Sequence, residues 1–504
     1  MGNAADSFQK KITRSDMIDC VLCYDAPCTA SCGKMDPAGL LRRVWFQNEK
    51  YAAAGLPGEN PCVTCPADCE KACVRPGEVP IQRLIQRLYD EVRPSLEIPR
   101  PEKEDRLKTE LCGIPLENPF LLSSSVVAST YDMCARAFEA GWAGAAFKTV
   151  CTLEIHEASP RFSAITGDNG SMIGFKNIEQ LSDHSVAENM RIFRELKRAY
   201  PTKFILASIM GQNEREWEEL ARTCEENGAD AVELNVSCPN MAEGGLGSDI
   251  GQEPVFVERF TAAARRGAKI PILAKLTPNI AAMSPAAEAA KRGGADGVSA
   301  INTIKSIIGV DPYTYVSSPA VQGKSAVGGY SGSAVKPIAL RFIAELGKNP
   351  NLSGMHISGI GGIETWKDAL EFLLLGADSV QITTAVMQYG YRIIDDLKAG
   401  LNFYLNACGI GKVGSLVGKG LDFISNTTDT LERDTVAYPL FQRSRCIGCG
   451  RCEISCADGG HQAIRLDGNR RPVLRPEKCV GCHLCVLVCP VEAIRSSEKW
   501  IAKR

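Results

Sequence analysis

The sequence predicts an α/β chain, with a central (β/α)8 barrel between two small cysteine-bearing domains. Three observations predict it. Eight short apolar runs recur between residues 119 and 387, separated by helix-like stretches such as 214–227 and 284–293, the alternation of a barrel of parallel strands. Sixteen of the 22 cysteines crowd into residues 20–73 and 446–489, on either side of those runs. The length of 504 residues leaves room for about three domains. The expected boundaries are 1–95 for a helical domain, 103–435 for the barrel and 436–504 for a C-terminal domain, with RPSLEIPRP (93–101) as the first linker.

Composition excludes several classes. The formal net charge is −2, so there is no basic footprint for nucleic acid. The N-terminal residues MGNAADSFQKKITRSDM are polar and lack an apolar signal region, and Asp6 stands where a myristoylation signal wants Ser or Thr. No apolar run approaches a membrane span. A long chain with unpaired-looking cysteines points to a reducing cytoplasm rather than to a disulfide scaffold.

The first cysteine group reads Cys20-x2-Cys23-x4-Cys28-x3-Cys32 and then Cys62-x2-Cys65-x3-Cys69-x3-Cys73. A helix-like stretch over 37–54 is expected to hold the two runs apart. Eight thiols suit two 4Fe–4S clusters, with zinc or redox-active thiols as the alternative.

The barrel strands are expected in PFLLSSS (119–125), GAAFKTV (144–150), KFILASIMG (203–211), AVELNVSC (231–238), PILAKLTPN (271–279), GVSAINTI (297–304), MHISGIGGI (355–363) and SVQITTAVM (379–387). An open doubly wound sheet is the alternative, but eight regular units favour closure. Lys148, Asn235, Lys275, Asn302 and Thr303 fall at strand ends, the functional face of such barrels. The seventh strand runs into Gly361-Gly362 and the eighth carries Thr383-Thr384, where barrels often seat a phosphate on exposed backbone N–H groups. No G-x-G-x-x-G follows a strand, so no dinucleotide-binding domain is expected.

The last cysteine group reads Cys446-x2-Cys449-x2-Cys452-x3-Cys456 and Cys479-x2-Cys482-x2-Cys485-x3-Cys489-Pro490. The second run is the two-cluster ferredoxin pattern, and the first departs from it only at Ala457. In that pattern the fourth cysteine of each run crosses to the other cluster. One cluster then takes Cys446, Cys449, Cys452 and Cys489, the other Cys456, Cys479, Cys482 and Cys485. Paired C-x2-C also suits zinc, but zinc has no need of two four-cysteine runs.

The N-terminal run 20–32 and PCVTCPADCEKACVRPG (61–77) resemble the helical iron–sulfur domain shared by dihydropyrimidine dehydrogenase and the glutamate synthase small subunit. That resemblance implies Cys20, Cys23, Cys28 and Cys73 on one cluster, and Cys32, Cys65 and Cys69 on the other. Its fourth ligand is Cys62, or Gln86 of PIQRLIQRLYD if the mammalian enzyme's glutamine is the guide. LNVSCPN (234–240), AKLTPN (274–279), INT (301–303), GGYSGSAVKPIAL (328–340) and SGIGGIETW (358–366) resemble the FMN barrel of dihydropyrimidine dehydrogenases, and more distantly dihydroorotate dehydrogenases. Only a short linker stands where the single-chain enzyme inserts FAD and NADPH domains.

The resemblance implies FMN and four 4Fe–4S clusters, and reduction of the C5=C6 bond of uracil or thymine with Cys238 as general acid. Free thiols are mostly protonated at neutral pH and can donate. Asn177, Glu179, Asn235, Ser237, Asn302 and Thr303 match the ring-binding positions; amides both donate and accept. Lys148, Thr149, Lys275, Gly332, Gly361, Gly362, Thr383 and Thr384 would hold FMN. The loop MAEGGLGSD (241–249) after Cys238 is expected to move. Electrons would come from a separate flavoprotein or ferredoxin, and a homodimer or larger hetero-assembly is implied. The competing readings are a reductase of another conjugated heterocycle or enone, a dihydroorotate-type oxidation, and an electron-transfer adaptor that needs no Cys238.

Overall fold

The computed structural model describes residues 16, 19–96, 104–167, 170–237, 248–425 and 427–503. Two compact units result, Met1–Ile424 and Ser425–Arg504. At the centre of the first is a closed parallel barrel of eight strands in sequence order. These are β1 Phe120–Leu122, β2 Gly144–Ala146, β3 Phe204–Ile209, β4 Ala231–Leu234, β5 Ile272–Lys275, β6 Gly297–Ala300, β7 His356–Ile360 and β8 Ser379–Ile382. Val380 of β8 pairs with Phe120 of β1, which closes the ring. Every expected run yields its strand, because buried parallel strands need continuous apolar stretches that the sequence displays openly. Each strand stops short of its run. The leftover polar residues therefore stand on the C-terminal rim.

The surrounding helices follow from 3.6-residue spacing and from caps. Trp217, Leu220, Ala221 and Cys224 form the buried stripe of Glu214–Glu226, and Asn213 caps it by accepting from the Glu216 N–H. Trp366–Leu374 begins with a reciprocal capping box between Thr365 and Asp368. At the opposite end a hairpin, Thr109–Leu111 with Ile114–Leu116, turns through Cys112 and Gly113, both with positive φ. Its Leu111 and Leu116 pack on Leu121, Phe204, Leu206 and Leu273, each leucine contributing about 1.5–3 kcal/mol. The hairpin belongs to the N-terminal end of the strands, so the C-terminal rim is left for a site.

Two excursions from the barrel meet above that rim in an antiparallel sheet absent from the sequence expectation. Its order is Ile304–Ser306, Gly328–Ser331, Met172–Asn177, Phe162–Thr166.

The stretch 37–54 is two helices, Pro37–Trp45 and Glu49–Ala54, where one was expected. The break at residues 46–48 is a docking corner. The Asn48 amide donates to the Asp396 carbonyl at 2.8 Å, and the Trp366 indole donates to the Gln47 carbonyl at 3.1 Å. Gln47 has a φ of 60°, so the chain turns there to meet the barrel helix Ile393–Ala407.

The second unit is built from short antiparallel pairs, among them Pro439–Phe441 with Ile494–Ser496 and Ile464–Leu466 with Pro472–Leu474. Its helices are Arg451–Gly459 and Leu484–Leu487, with Cys452, Ile464, Cys485 and Ile494 at its centre. Among the described residues no helix is long and apolar enough to cross a membrane.

Candidate functional site

The C-terminal rim opens into a cleft of about 1090 Å³, counting the solvent at its open mouth. Lys148, Thr149, Asn177, Glu179, Asn235, Lys275, Asn302, Thr303, Gly332, Gly361, Gly362, Thr383 and Thr384 all line it. Residues spread over more than 230 positions of sequence thus converge on one wall. Ser237 sits just behind, fully buried. Cys238 and the loop 241–247 lie outside the described residues.

The polar groups are cross-linked. The Asn302 amide donates to Asn235 Oδ1 at 3.2 Å and to Ser237 Oγ at 2.8 Å, and the Ser237 hydroxyl donates to Asn235 Oδ1 at 3.4 Å. The Asn235 amide donates in turn to Thr149 Oγ1 at 2.9 Å, which exchanges a hydrogen bond with Ser208 at 2.9 Å. Strand ends β2, β3, β4 and β6 are tied into one network, which fixes the rotamers of groups aimed at the cleft.

Two lysines carry the charge. Lys148 Nζ is 3.2 Å from Glu179 and 3.6 Å from Glu157. Burial pushes the Glu179 carboxyl up, and Lys148 opposes that shift. Lys275 Nζ donates to Ser124 Oγ at 2.9 Å and sits 3.3 Å from Glu233, with both residues nearly wholly buried. Glu233 also accepts from the Gln381 amide at 3.2 Å, and Gln381 donates to Ser299 and Ser358.

Ser124, Glu233, Gln381, Tyr330 and Ser331 were missed from sequence. A signal existed for two of them, since Glu233 and Gln381 are polar residues inside otherwise apolar strands. Tyr330 and Ser331 belong to the unexpected sheet, and only the resemblance carried by GGYSGSAVKPIAL pointed to their segment.

At one end of the cleft the backbone forms a cradle. Gly332, Gly361 and Gly362 have φ of 92°, 127° and 76°. A Cβ on Gly362 would come within 2.8 Å of Lys336, and one on Gly332 within 2.7 Å of the Ile173 carbonyl. Thr383 and Thr384 face this cradle, tied to Ser125 and Ser331 at 3.2 and 2.9 Å. Glycine backbone that a ligand can approach closely, with two threonine hydroxyls beside it, suits a phosphate.

Twelve of the sixteen clustered cysteines border three separate cavities. In the C-terminal unit Cys446, Cys449, Cys452 and Cys489 line one, and Cys456, Cys479, Cys482 and Cys485 line another, the crossed sets expected from spacing. Backbone N–H groups point at sulfur, from Ala463 to Cys456 and from Ala493 to Cys489, both at 3.2 Å; such bonds stabilise reduced clusters. Near the N-terminus Cys20, Cys23, Cys28 and Cys73 line a third cavity. Burial first, then Cys73 among its neighbours, pushes the Cys28 thiol up. Cys69 is pushed up to about 11 by burial, then by Cys32, with Cys62 also contributing. Cys62 feels Cys65 and Cys32, whereas the Gln86 amide is taken by Asn60 at 2.5 Å and Asp90 at 2.8 Å. Among the described residues no three His, Cys, Asp or Glu converge as on a single metal ion; four thiols around a cavity fit a larger cluster.

Cys489→Ser tests the crossing. It is expected to remove the cluster of Cys446, Cys449 and Cys452 from a run more than 30 residues away, leaving the Cys479 cluster, as read by iron content and EPR. Loss of the Cys479 cluster instead would reverse the assignment.

Comparison with known proteins gives two family matches, dihydroorotate dehydrogenase over residues 106–405 and the 4Fe-4S dicluster domain over 440–496. Both lie after the N-terminal cysteines. The chain is 51% identical over 393 residues to the NAD-dependent dihydropyrimidine dehydrogenase subunit PreA of Escherichia coli K12, covering 78% of this chain and 95% of that one. It is 36% identical to the chloroplastic dihydropyrimidine dehydrogenase (NADP(+)) of Arabidopsis thaliana, covering 67% and 82%. A ligand-free DHODH from Eimeria tenella shares the fold with a TM-score of 0.53 at 18% identity, covering 66% and 95%.

Proposed function

This chain belongs to the dihydropyrimidine dehydrogenase family, and from that premise we propose that it reduces the C5=C6 bond of uracil or thymine to the 5,6-dihydropyrimidine. It is an oxidoreductase acting on CH–CH bonds, with iron–sulfur electron transfer. The family implies a flavin, and the cleft fits FMN: the Gly332, Gly361, Gly362, Thr383 and Thr384 cradle for its phosphate, Lys148, Thr149 and Lys275 for its ring. Bound there, FMN supplies the two-electron chemistry that the residues lack.

Reduction adds two electrons and two protons across the bond. Asn177, Asn235, Asn302 and Thr303, with Glu179 and Ser237, orient a planar ring that bears both N–H donors and carbonyl acceptors. Cys238 delivers the proton to C5. The observation that carries this reading is the linked set Asn302–Asn235–Ser237, which joins the ends of β4 and β6 across β5, with Cys238 next in sequence to Ser237. An electron conduit needs no such set, and a site of buried hydrogen bonds rejects rings that lack the matching groups.

The eight N-terminal cysteines hold two further clusters, with Cys62 as the fourth ligand beside Cys32, Cys65 and Cys69. That gives four clusters. A separate flavoprotein or ferredoxin feeds them in a reducing compartment, and the working unit is a homodimer or larger hetero-assembly.

The test is anaerobic. The reduced, reconstituted protein is mixed with uracil, thymine, orotate and a simple cyclic enone while flavin absorbance is followed. Uracil and thymine should reoxidise the flavin, and NADH alone should not reduce the oxidised protein. Reoxidation by orotate or the enone but not by the pyrimidine bases would overturn the substrate.

A further inference from the structure

We propose that Arg392, a residue of the barrel, is the electrostatic partner of the cluster held by Cys20, Cys23, Cys28 and Cys73, and raises its reduction potential. The inference rests on the reading of those four cysteines as ligands.

Arg392 stands between the short helix Thr384–Tyr389, which borders the phosphate cradle, and the long helix Ile393–Ala407. Its guanidinium crosses to the N-terminal segment. Nη2 donates to the Leu22 carbonyl at 2.6 Å and Nη1 to the Cys23 carbonyl at 3.2 Å, while Nε holds the Tyr389 carbonyl at 3.2 Å on the barrel side. The Tyr24 ring lies 5.6 Å from its carbon centre. Arg392 also lines the cavity that the four cysteines share.

Charge pairing separates it from the other cations on that cavity. Arg42 is bound to Asp396 at 2.8 Å, and Arg75 reaches Asp19 and Glu78. Among the described residues no carboxylate lies within ion-pair distance of Arg392. Its hydrogen bonds all go to backbone carbonyls, and Asp396, the acidic side chain that acts on it, is ion-paired with Arg42, so Arg392 holds its positive charge beside a ligand with no carboxylate of its own among the described residues.

Reduction of a 4Fe–4S core adds one electron and no proton. With four thiolates the total charge passes from −2 to −3. A fixed cation favours the more negative state, so the potential rises; potentials of such clusters follow net charge and hydrogen bonding. The position also joins the cluster to the flavin end of its own barrel through a single short helix.

The test is an EPR-monitored redox titration of the full-length holoprotein, with Cys73→Ser identifying the signal of this cluster. Arg392→Gln should weaken its reduction about tenfold, which for a one-electron couple is about 59 mV downward. The other clusters and the flavin content should be unchanged. Arg392→Lys, which keeps the charge, should recover most of the shift. An unchanged potential in Arg392→Gln overturns the proposal, as does an equal shift in both variants, which would assign the effect to hydrogen-bond geometry. Survival of every signal in Cys73→Ser would instead sink the ligand assignment beneath it.

Discussion

Cys238→Ala should slow pyrimidine-dependent flavin reoxidation by about 10²–10⁴-fold, the ordinary contribution of a positioned general acid. Flavin content and dye-linked reduction of the clusters should survive, because no cluster or cradle residue is touched. The residues just before it are held firmly: Ser237 is fully buried and hydrogen-bonded to Asn302 and Asn235. A thiol that must be protonated to act also predicts a pH limb. The rate should fall on the alkaline side, as the thiol loses the proton it must deliver. Cys238→Ser, whose hydroxyl stays protonated but gives its proton up poorly, should be slow and should lose that limb. Stopped-flow reoxidation from pH 6 to 10 measures both. If Cys238→Ala kept more than a tenth of the wild-type rate, the proton would come from elsewhere, and the linked Asn302–Ser237 pair would position a ring for some other donor.

Much of this was legible in the sequence, and for identifiable reasons. Parallel strands buried on both faces must be apolar throughout, so all eight stood out. Ferredoxin spacing is rigid, so the grouping of Cys489 with Cys446, Cys449 and Cys452, and of Cys456 with Cys479, Cys482 and Cys485, around their cavities was legible in the sequence. The break at Gln47 and Asn48 could not, since its cause lies more than 300 residues away in Trp366 and Asp396. The sheet beside the cleft was hidden because its strands are short and half-exposed, and one is built on Gly328-Gly329. The role proposed for Cys238 rests on resemblance alone; its local spacing carries no chemistry by itself. Glu233 was visible as a charge inside an apolar strand, but its partner could be named only once β4 and β5 lay side by side.

That partner sets the second large effect. Lys275→Met should destabilise the barrel by about 3–5 kcal/mol, the cost of leaving a buried charge without its counterion. Lys275 Nζ lies 3.3 Å from Glu233 Oε1, both side chains are almost completely out of water, and the remaining polar contact of Glu233 is the Gln381 amide at 3.2 Å. One neutral amide does not replace an ammonium group. The effect belongs to the stranded carboxylate rather than to lost methylenes, because methionine keeps nearly the same volume. Adding Glu233→Gln should therefore restore most of the loss, making the double variant more stable than Lys275→Met alone. Urea unfolding of flavin-depleted protein, followed through the buried Trp142 and Trp217, isolates this from any effect on cofactor binding. A double variant as unstable as the sum of the two singles would mean that Lys275 and Glu233 act independently. In that case the lysine would be held by Ser124, and its charge would be free to face the cleft.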